Sequence, residues 1–198
     1  MSLLVLAVLG TDHHPFDRLI SWMDAAATQH PDVRFVVQHG ASRPPSVAEG
    51  ADYLTHDLLV EMLAMADVVV CHGGPGTITD ARGAGHRPIC VPRDPALGEH
   101  VDGHQRRFAS VVGPAGLVEV TEDREGFDEV LAQRLSLAES SDHVDGTTTA
   151  PRSQEARRLL ADELDELWQV GAARRRRTGG LRAVFSHARR QLGSQRTR

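Results

Sequence analysis

The stretch Val68–Pro92, VVVCHGGPGTITDARGAGHRPICVP, decides how the chain reads. A run of β-branched residues ends in His-Gly-Gly-Pro-Gly-Thr, a helix is predicted from about Thr77, and a second short apolar run, Pro88–Val91, follows. Strand, glycine turn, helix and strand in succession form the repeating unit of a parallel sheet. Glycines let the backbone turn sharply and approach a ligand without a Cβ clash. The start of a helix presents unpaired N–H groups and a positive dipole end to an anion such as a diphosphate. The dipole alone supplies about 0.3–1 kcal/mol, so such a site would need several amides together with His72 or Thr77. A plain strand-to-helix turn is the blander reading, and on the glycines alone both stand. The segment has no P-loop lysine and no GxGxxG fingerprint.

Outward from this segment, apolar runs at Leu3–Leu9, Val33–Val37 and Asp67–Cys71 read as further strands. Helical spacing marks Asp17–Thr28, through Leu19, Ile20 and Met23, and His56–Met65, through Leu59, Met62 and Leu63. Val101–Val112 and Asp123–Leu137 read as later helices. The pattern predicts an α/β fold, a Rossmann-like parallel sheet with helices on both faces, over residues 1–138. A polar, Thr- and Ser-rich linker is expected over 139–153, a helix over 154–170 with Leu160, Leu164, Leu167 and Trp168 inward, and a basic tail over 171–198. The 198 residues allow one such domain and a tail, not two full domains.

Cys71 and Cys90 lie within apolar runs and read as reduced core thiols, which points to a cytoplasmic location. The apolar opening lacks a basic start and a small-residue cleavage site, so it reads as a buried strand, not a signal peptide. No run approaches the roughly 18–20 apolar residues that span a bilayer. The net charge of −5 conceals two opposed regions: the tail Gly171–Arg198 holds nine arginines and no acid, leaving −5 − 9 = −14 for the rest. Such a tail favours an anionic surface.

Two further places could carry chemistry. Asp80, three residues after Thr77, could face ribose hydroxyls from the first helical turn, or could simply complement the dipole. The loop Pro92–Gln105, PRDPALGEHVDGHQ, gathers Glu99, His100, Asp102, His104 and Gln105 at the carboxyl end of a strand, where α/β sheets bind ligands. His100 and His104, spaced i, i+4 around Asp102, also admit a metal-hydrolase reading if they share a helical face, although no HExxH pattern is present.

The combination HGGPGT, an acidic residue, GxGxRP, a strand to VP, and GEHxDxHQ resembles the C-terminal, donor-binding domain of glycosyltransferase family 28, the MurG-like enzymes. The opening Val8–Leu19, VLGTDHHPFDRL, is similar to the start of its split members, short donor subunits in bacterial exopolysaccharide and capsule synthesis and in dolichol-linked N-acetylglucosamine transfer. The resemblance, over roughly Leu3–Leu137, implies half of a GT-B fold. It places Gly10 and Thr11 beside the donor, His72, Gly73, Gly74, Gly76 and Thr77 on the diphosphate, Asp80 on ribose, and Asp102, His104 and Gln105 on the transferred sugar. The implied reaction is inverting transfer from a UDP-sugar to a lipid-linked acceptor in polysaccharide synthesis. It needs no metal or cofactor, because the helix start supplies positive potential.

The attacking hydroxyl also needs positioning and a base, expected from a membrane-anchored acceptor-binding subunit. Within this chain His13 and His14 are the candidates, with solvated loop structure as the alternative. A non-catalytic enhancer of another glycosyltransferase is the remaining reading. Leu181, Val184, Phe185, Ala188 and Leu192 give the tail an amphipathic helical face beside the Arg174–Arg177 run. Residues 174–192 are therefore expected to meet the anionic inner face of the cell membrane, with docking on the partner or a disordered basic end as competing readings. Nucleic acid is not an expected partner.

Overall fold

The computed structural model describes residues 2–141. Six strands, β1 (Leu4–Val8), β2 (Arg34–Gln38), β3 (Glu49–Ala51), β4 (Val68–Cys71), β5 (Ile89–Cys90) and β6 (Glu119–Val120), form one sheet in the order β3-β2-β1-β4-β5-β6. All five pairings are parallel. Between the strands run α1 (Asp17–Gln29), α2 (His56–Met65), α3 (Pro75–Gly83) and α4 (His104–Val112), and α5 (Arg124–Ser141) follows β6.

Side chains of a strand alternate between faces, and the two faces bury different helices. Val5 and Ala7 of β1 and Val68 and Val70 of β4 pack with Leu19, Ile20 and Met23 of α1 and with Phe127, Leu131 and Leu135 of α5. On that face the Trp22 and Phe127 rings lie 5.5 Å apart. Cys71 and Cys90 turn the other way, onto Ile78 of α3 and Ala109 and Val112 of α4. The two cysteines stand opposite each other in register and are free and buried, as expected of core thiols. The Cys90 contact, then burial, pushes the Cys71 thiol well up. No helix among the described residues is long and apolar enough to cross a membrane.

Chain direction across the sheet reverses between β1 and β4, because β2 and β3 extend one wing and β5 and β6 the other. Loops leaving adjacent β1 and β4 part in opposite directions, and the crevice between them is where doubly wound sheets bind ligands.

Several boundaries differ from the sequence reading. The strands β3 and β6 are not anticipated, since three and two residues of Glu-Gly-Ala and Glu-Val are too short to show periodicity. The helix α3 begins at Pro75, two residues before Thr77, with proline at its first position, so Asp80 falls in the second turn instead of the first. The helix α4 begins at His104, not Val101, because Asp102 Oδ1 accepts from the His104 N–H (2.9 Å) and holds residues 101–103 as a turn. His100 and His104 therefore do not share one helical face. The helix α5 runs to Ser141, three residues into the stretch expected as linker: Ala138 still packs on the core and the Ser140 hydroxyl donates to the Ser136 carbonyl (2.9 Å). The remaining linker, the 154–170 helix and the 171–198 tail lie outside the described residues.

Phe127→Ala should lower unfolding free energy by about 3–5 kcal/mol, through lost transfer energy and the cavity left against Trp22. Urea denaturation followed by circular dichroism measures it, and a loss below about 1 kcal/mol would mean that α5 does not close this core.

Candidate functional site

The loop after β1 turns at Gly10, whose φ of +82° favours glycine. Gln38, at the end of β2, fixes this turn from both sides: its Oε1 accepts from the Gly10 N–H (3.2 Å) and its Nε2 donates to the Gly10 carbonyl (3.1 Å). Across the crevice His72 leaves β4. A Cβ on Gly10 would lie 2.6 Å from His72 Nε2, and one on Gly74 would lie 2.0 Å from His72 Cε1. These glycines thus make room for an imidazole, a reason for the pattern that differs from ligand approach. The Thr77 hydroxyl lies 3.3 Å from His72 Nε2, while buried His72 Nδ1 has no hydrogen-bond partner. Burial, and then the charge of Arg93, pushes the His72 pKa down to about 4, so the ring is neutral at physiological pH.

At the start of α3 the N-cap is Gly74, which has no capping side chain, and the first turn holds no acid. Pro75 has no N–H to offer. Gly76 and Thr77 line the crevice, and a Cβ on Gly76 would meet nothing within 4 Å. First-turn N–H groups have no partner inside a helix, so this start is open to an anion.

The floor is tied first by Arg93, which the sequence reading does not single out, and then by Glu99 and Gln105, which it does. Arg93, 1% exposed, donates to the carbonyls of His14 (2.7 Å) and Glu99 (3.0 Å) through Nη1 and of Leu9 (2.9 Å) through Nη2. Its guanidinium carbon lies 4.8 Å from the centre of the Phe16 ring. Burial lowers its pKa, and Asp12 and Glu99 oppose that shift. Glu99 is a structural pin: it takes Arg18 in a two-pronged pair (2.8 Å each) and accepts the Asp94 N–H (2.8 Å). Gln105, expected on the sugar, is buried and spends Oε1 on the N–H groups of Gly73 (3.1 Å) and Arg93 (3.2 Å), stapling the β4 loop to the β5 loop.

Beside this floor stand aspartates paired with histidines. Asp12 Oδ1 accepts from the N–H (2.7 Å) and Nδ1 (2.6 Å) of His14, and Asp12 Oδ2 lies 3.3 Å from His100 Nε2. Burial pulls the Asp12 carboxyl up, but the His14 hydrogen bonds, with His100 and Arg93 nearby, outweigh it and hold the pKa at about 2. Asp102 Oδ1 pairs with His104 Nδ1 (2.6 Å), and the His104 backbone and side-chain bonds lower the Asp102 pKa. The His100 and His104 rings meet edge to face at 4.5 Å. The two 2.6 Å contacts are hydrogen-bond separations.

These elements enclose a cleft of about 410 Å³. Of the expected donor residues, Gly10, Thr11, His72, Gly74, Gly76, Thr77, His104 and Gln105 line it. Gly73 is buried beneath Gln105, and Asp80, Asp102, His13 and His14 are not on its wall. Asp12, Gln38, Tyr53, Leu54, Leu59 and His100 join the wall. Gln38 could have been found from Gln-His-Gly at the end of a strand, the same kind of strand end that marks His72; nothing local marks Arg93.

The family described as glycosyltransferase family 28 C-terminal domain matches residues 8–163. Among solved structures, the glycotransferase of kitacinnamycin is similar at 19% identity, over 88% of this chain and 43% of that one, with a TM-score of 0.52. The glycosyltransferase SnogD from Streptomyces nogalater matches at 17% identity, over 81% of this chain and 43% of that one, with a TM-score of 0.43. The calicheamicin glycosyltransferase matches at 18% identity, over 87% and 44%, with a TM-score of 0.43. The chain spans less than half the length of each of these proteins. No curated protein matches it.

Gln105→Ala should cost about 2–4 kcal/mol of stability, because the buried N–H groups of Gly73 and Arg93 lose their shared acceptor. Thermal and urea unfolding measure it; an unchanged melting temperature would show that Gln105 serves only a ligand.

Proposed function

Since the chain belongs to the glycosyltransferase family 28 C-terminal domains, we propose that it is the donor-binding subunit of an inverting glycosyltransferase that moves a sugar from a UDP-sugar to a lipid-linked acceptor in polysaccharide synthesis. The observation that carries this reading is the uncapped start of α3, with Gly76, Thr77 and His72 facing one cleft at the β1/β4 crevice. A diphosphate meets the open N–H groups there. The cleft volume falls within the roughly 300–1,000 Å³ of small-molecule sites, and Tyr53, Leu54 and Leu59 give part of its wall an apolar surface for a base or sugar. Asp80, in the second turn of α3 and off the described wall, would meet the ribose only where the ligand extends past that wall.

In the reaction, an acceptor hydroxyl oxygen attacks the anomeric carbon from the face opposite the nucleotide. The anomeric C–O bond breaks, and its electron pair leaves with the diphosphate. The hydroxyl proton passes to a base. Of the two histidines considered, His14 is the better held: Asp12 takes its Nδ1 proton and leaves Nε2 as acceptor, whereas the His13 side chain is 83% exposed. Neither lies on the described cleft wall, and in this reading the acceptor and most of its activation come from a separate, membrane-anchored polypeptide facing the carboxyl edge of this sheet. Residues 174–192 would hold the chain to the anionic inner face of the membrane.

The full chain should bind UDP weakly by calorimetry and transfer sugar to a lipid acceptor only with its partner; strong turnover by the chain alone would overturn the split-enzyme reading. Gly76→Asp isolates the anion site. Its side chain enters open space at a helix start, where a carboxylate stabilises the helix, so melting temperature should hold or rise while UDP affinity falls at least about tenfold. Unchanged affinity would remove the diphosphate from α3.

A further inference from the structure

Among the described residues no fixed positive charge stands on the cleft wall itself, and Arg93 acts on His72 and Asp12 from beneath it. No lysine occurs in the sequence, and no arginine is among the described residues lining the cleft. The ionisable residues on its wall are Asp12, Tyr53, His72, His100 and His104. Asp12 is anionic and His72 is neutral. A UDP-sugar brings two negative charges and leaves as a nucleoside diphosphate with more. The start of α3 offers only about half a positive charge. On the described wall, the side chains left that can add positive charge are His100 and His104.

Hydrogen bonding separates these two. His100 Nδ1 accepts from the Asp102 N–H (3.4 Å), which leaves its proton on Nε2, turned to Asp12 Oδ2 (3.3 Å). A second proton on His100 would set N–H against N–H at Nδ1. His104 Nδ1 donates to Asp102 Oδ1 (2.6 Å), so the lone pair of His104 is on Nε2. Its side chain is 42% exposed. A proton at that atom breaks no existing bond and turns the pair into imidazolium and carboxylate, the orientation an aspartate gives a working histidine.

Resting on the nucleotide-donor reading, we propose that His104 takes up a proton as the nucleoside diphosphate enters, and that its imidazolium, held by Asp102, is the counter-charge to the departing diphosphate. The proton comes from solvent on binding and stays on His104 while the anomeric C–O bond breaks; the acceptor's proton leaves by another base. Among the described residues, the charged and titratable groups around His104 are Asp102 in the turn before α4, Arg107 one turn along it, which acts on Asp102, the edge of His100, Asp12 behind His100, His72 on the same cleft wall, and Arg93 beneath, which acts on Asp12 and His72. Because binding raises the affinity of His104 for a proton, nucleotide binding is strongest at low pH and is lost as pH rises through the bound-state value.

The test is calorimetric titration of UDP into the full chain and into His104→Asn, each in PIPES and in imidazole buffer, from about pH 6 to about pH 8, where histidine changes charge. Proton uptake is read from the dependence of heat on buffer, and the difference between the two proteins cancels the titration of UDP itself. The expected result is greater uptake by the native chain, approaching one proton, with affinity falling more steeply with pH than in the variant, by up to about tenfold per unit. Asp102→Asn should reduce the uptake, since the imidazolium loses its carboxylate. In the native chain the ring resonance of His104 should titrate at higher pH with UDP than without, a readout that does not depend on the variants folding. UDP binding with equal uptake in both proteins and an unmoved His104 resonance would overturn this proposal alone. No UDP binding at any pH would overturn the nucleotide reading, and this inference with it.

Discussion

The site depends on one buried cation. Arg93 brings a guanidinium into the interior and places it among the carbonyls of Leu9, His14 and Glu99. A charge in such a place is costly unless it is bonded, and an Arg removed from its partners would leave them unsatisfied as well. The three carbonyls belong to the loop after β1 and the loop after β5, on either side of β4. The guanidinium therefore sets the distance between the two walls of the crevice. Phe16 beneath it and the pair of Arg18 with Glu99 beside it carry the constraint into α1.

Upon that floor the crevice is assembled by small residues and short polar ties. Gly10 and Gly74 admit His72, Gln38 holds Gly10, and Gln105 joins the two loops that follow β4 and β5. The result is a cleft whose polar groups are mostly fixed before any ligand arrives, the condition under which hydrogen bonds and dipoles act on a leaving group with little reorganisation.

Much of this was legible in the sequence where periodicity or backbone chemistry leaves a local mark. The Val68–Cys71 run, the His-Gly-Gly-Pro-Gly turn and the apolar stripe of α1 stand within two residues of where the residues alone place them. The edge strands were not legible, because Glu49–Ala51 and Glu119–Val120 are strands by pairing and not by propensity. The clamp was not legible either. Arg93 is one arginine among 22 basic residues, and its burial arises from contacts 79 and 84 positions away in the chain. Histidine pairs were visible as composition, yet which atom of each ring is free depends on the turn made by Asp102 and on Asp12 meeting His100 across two loops.

The two short edge strands have a consequence for how the folded chain meets its own copies. A sheet ends in unpaired N–H and C=O groups that invite another strand, and apolar central strands such as Val68–Cys71 would be hazardous in that position. Here the described sheet ends in three residues on one side and two on the other, each bearing a glutamate bridged to an arginine, Glu49 to Arg34 and Glu119 to Arg134. An incoming strand would find few backbone groups to pair with and would have to displace an ion pair at either end. The described sheet is thereby guarded against edge-to-edge stacking.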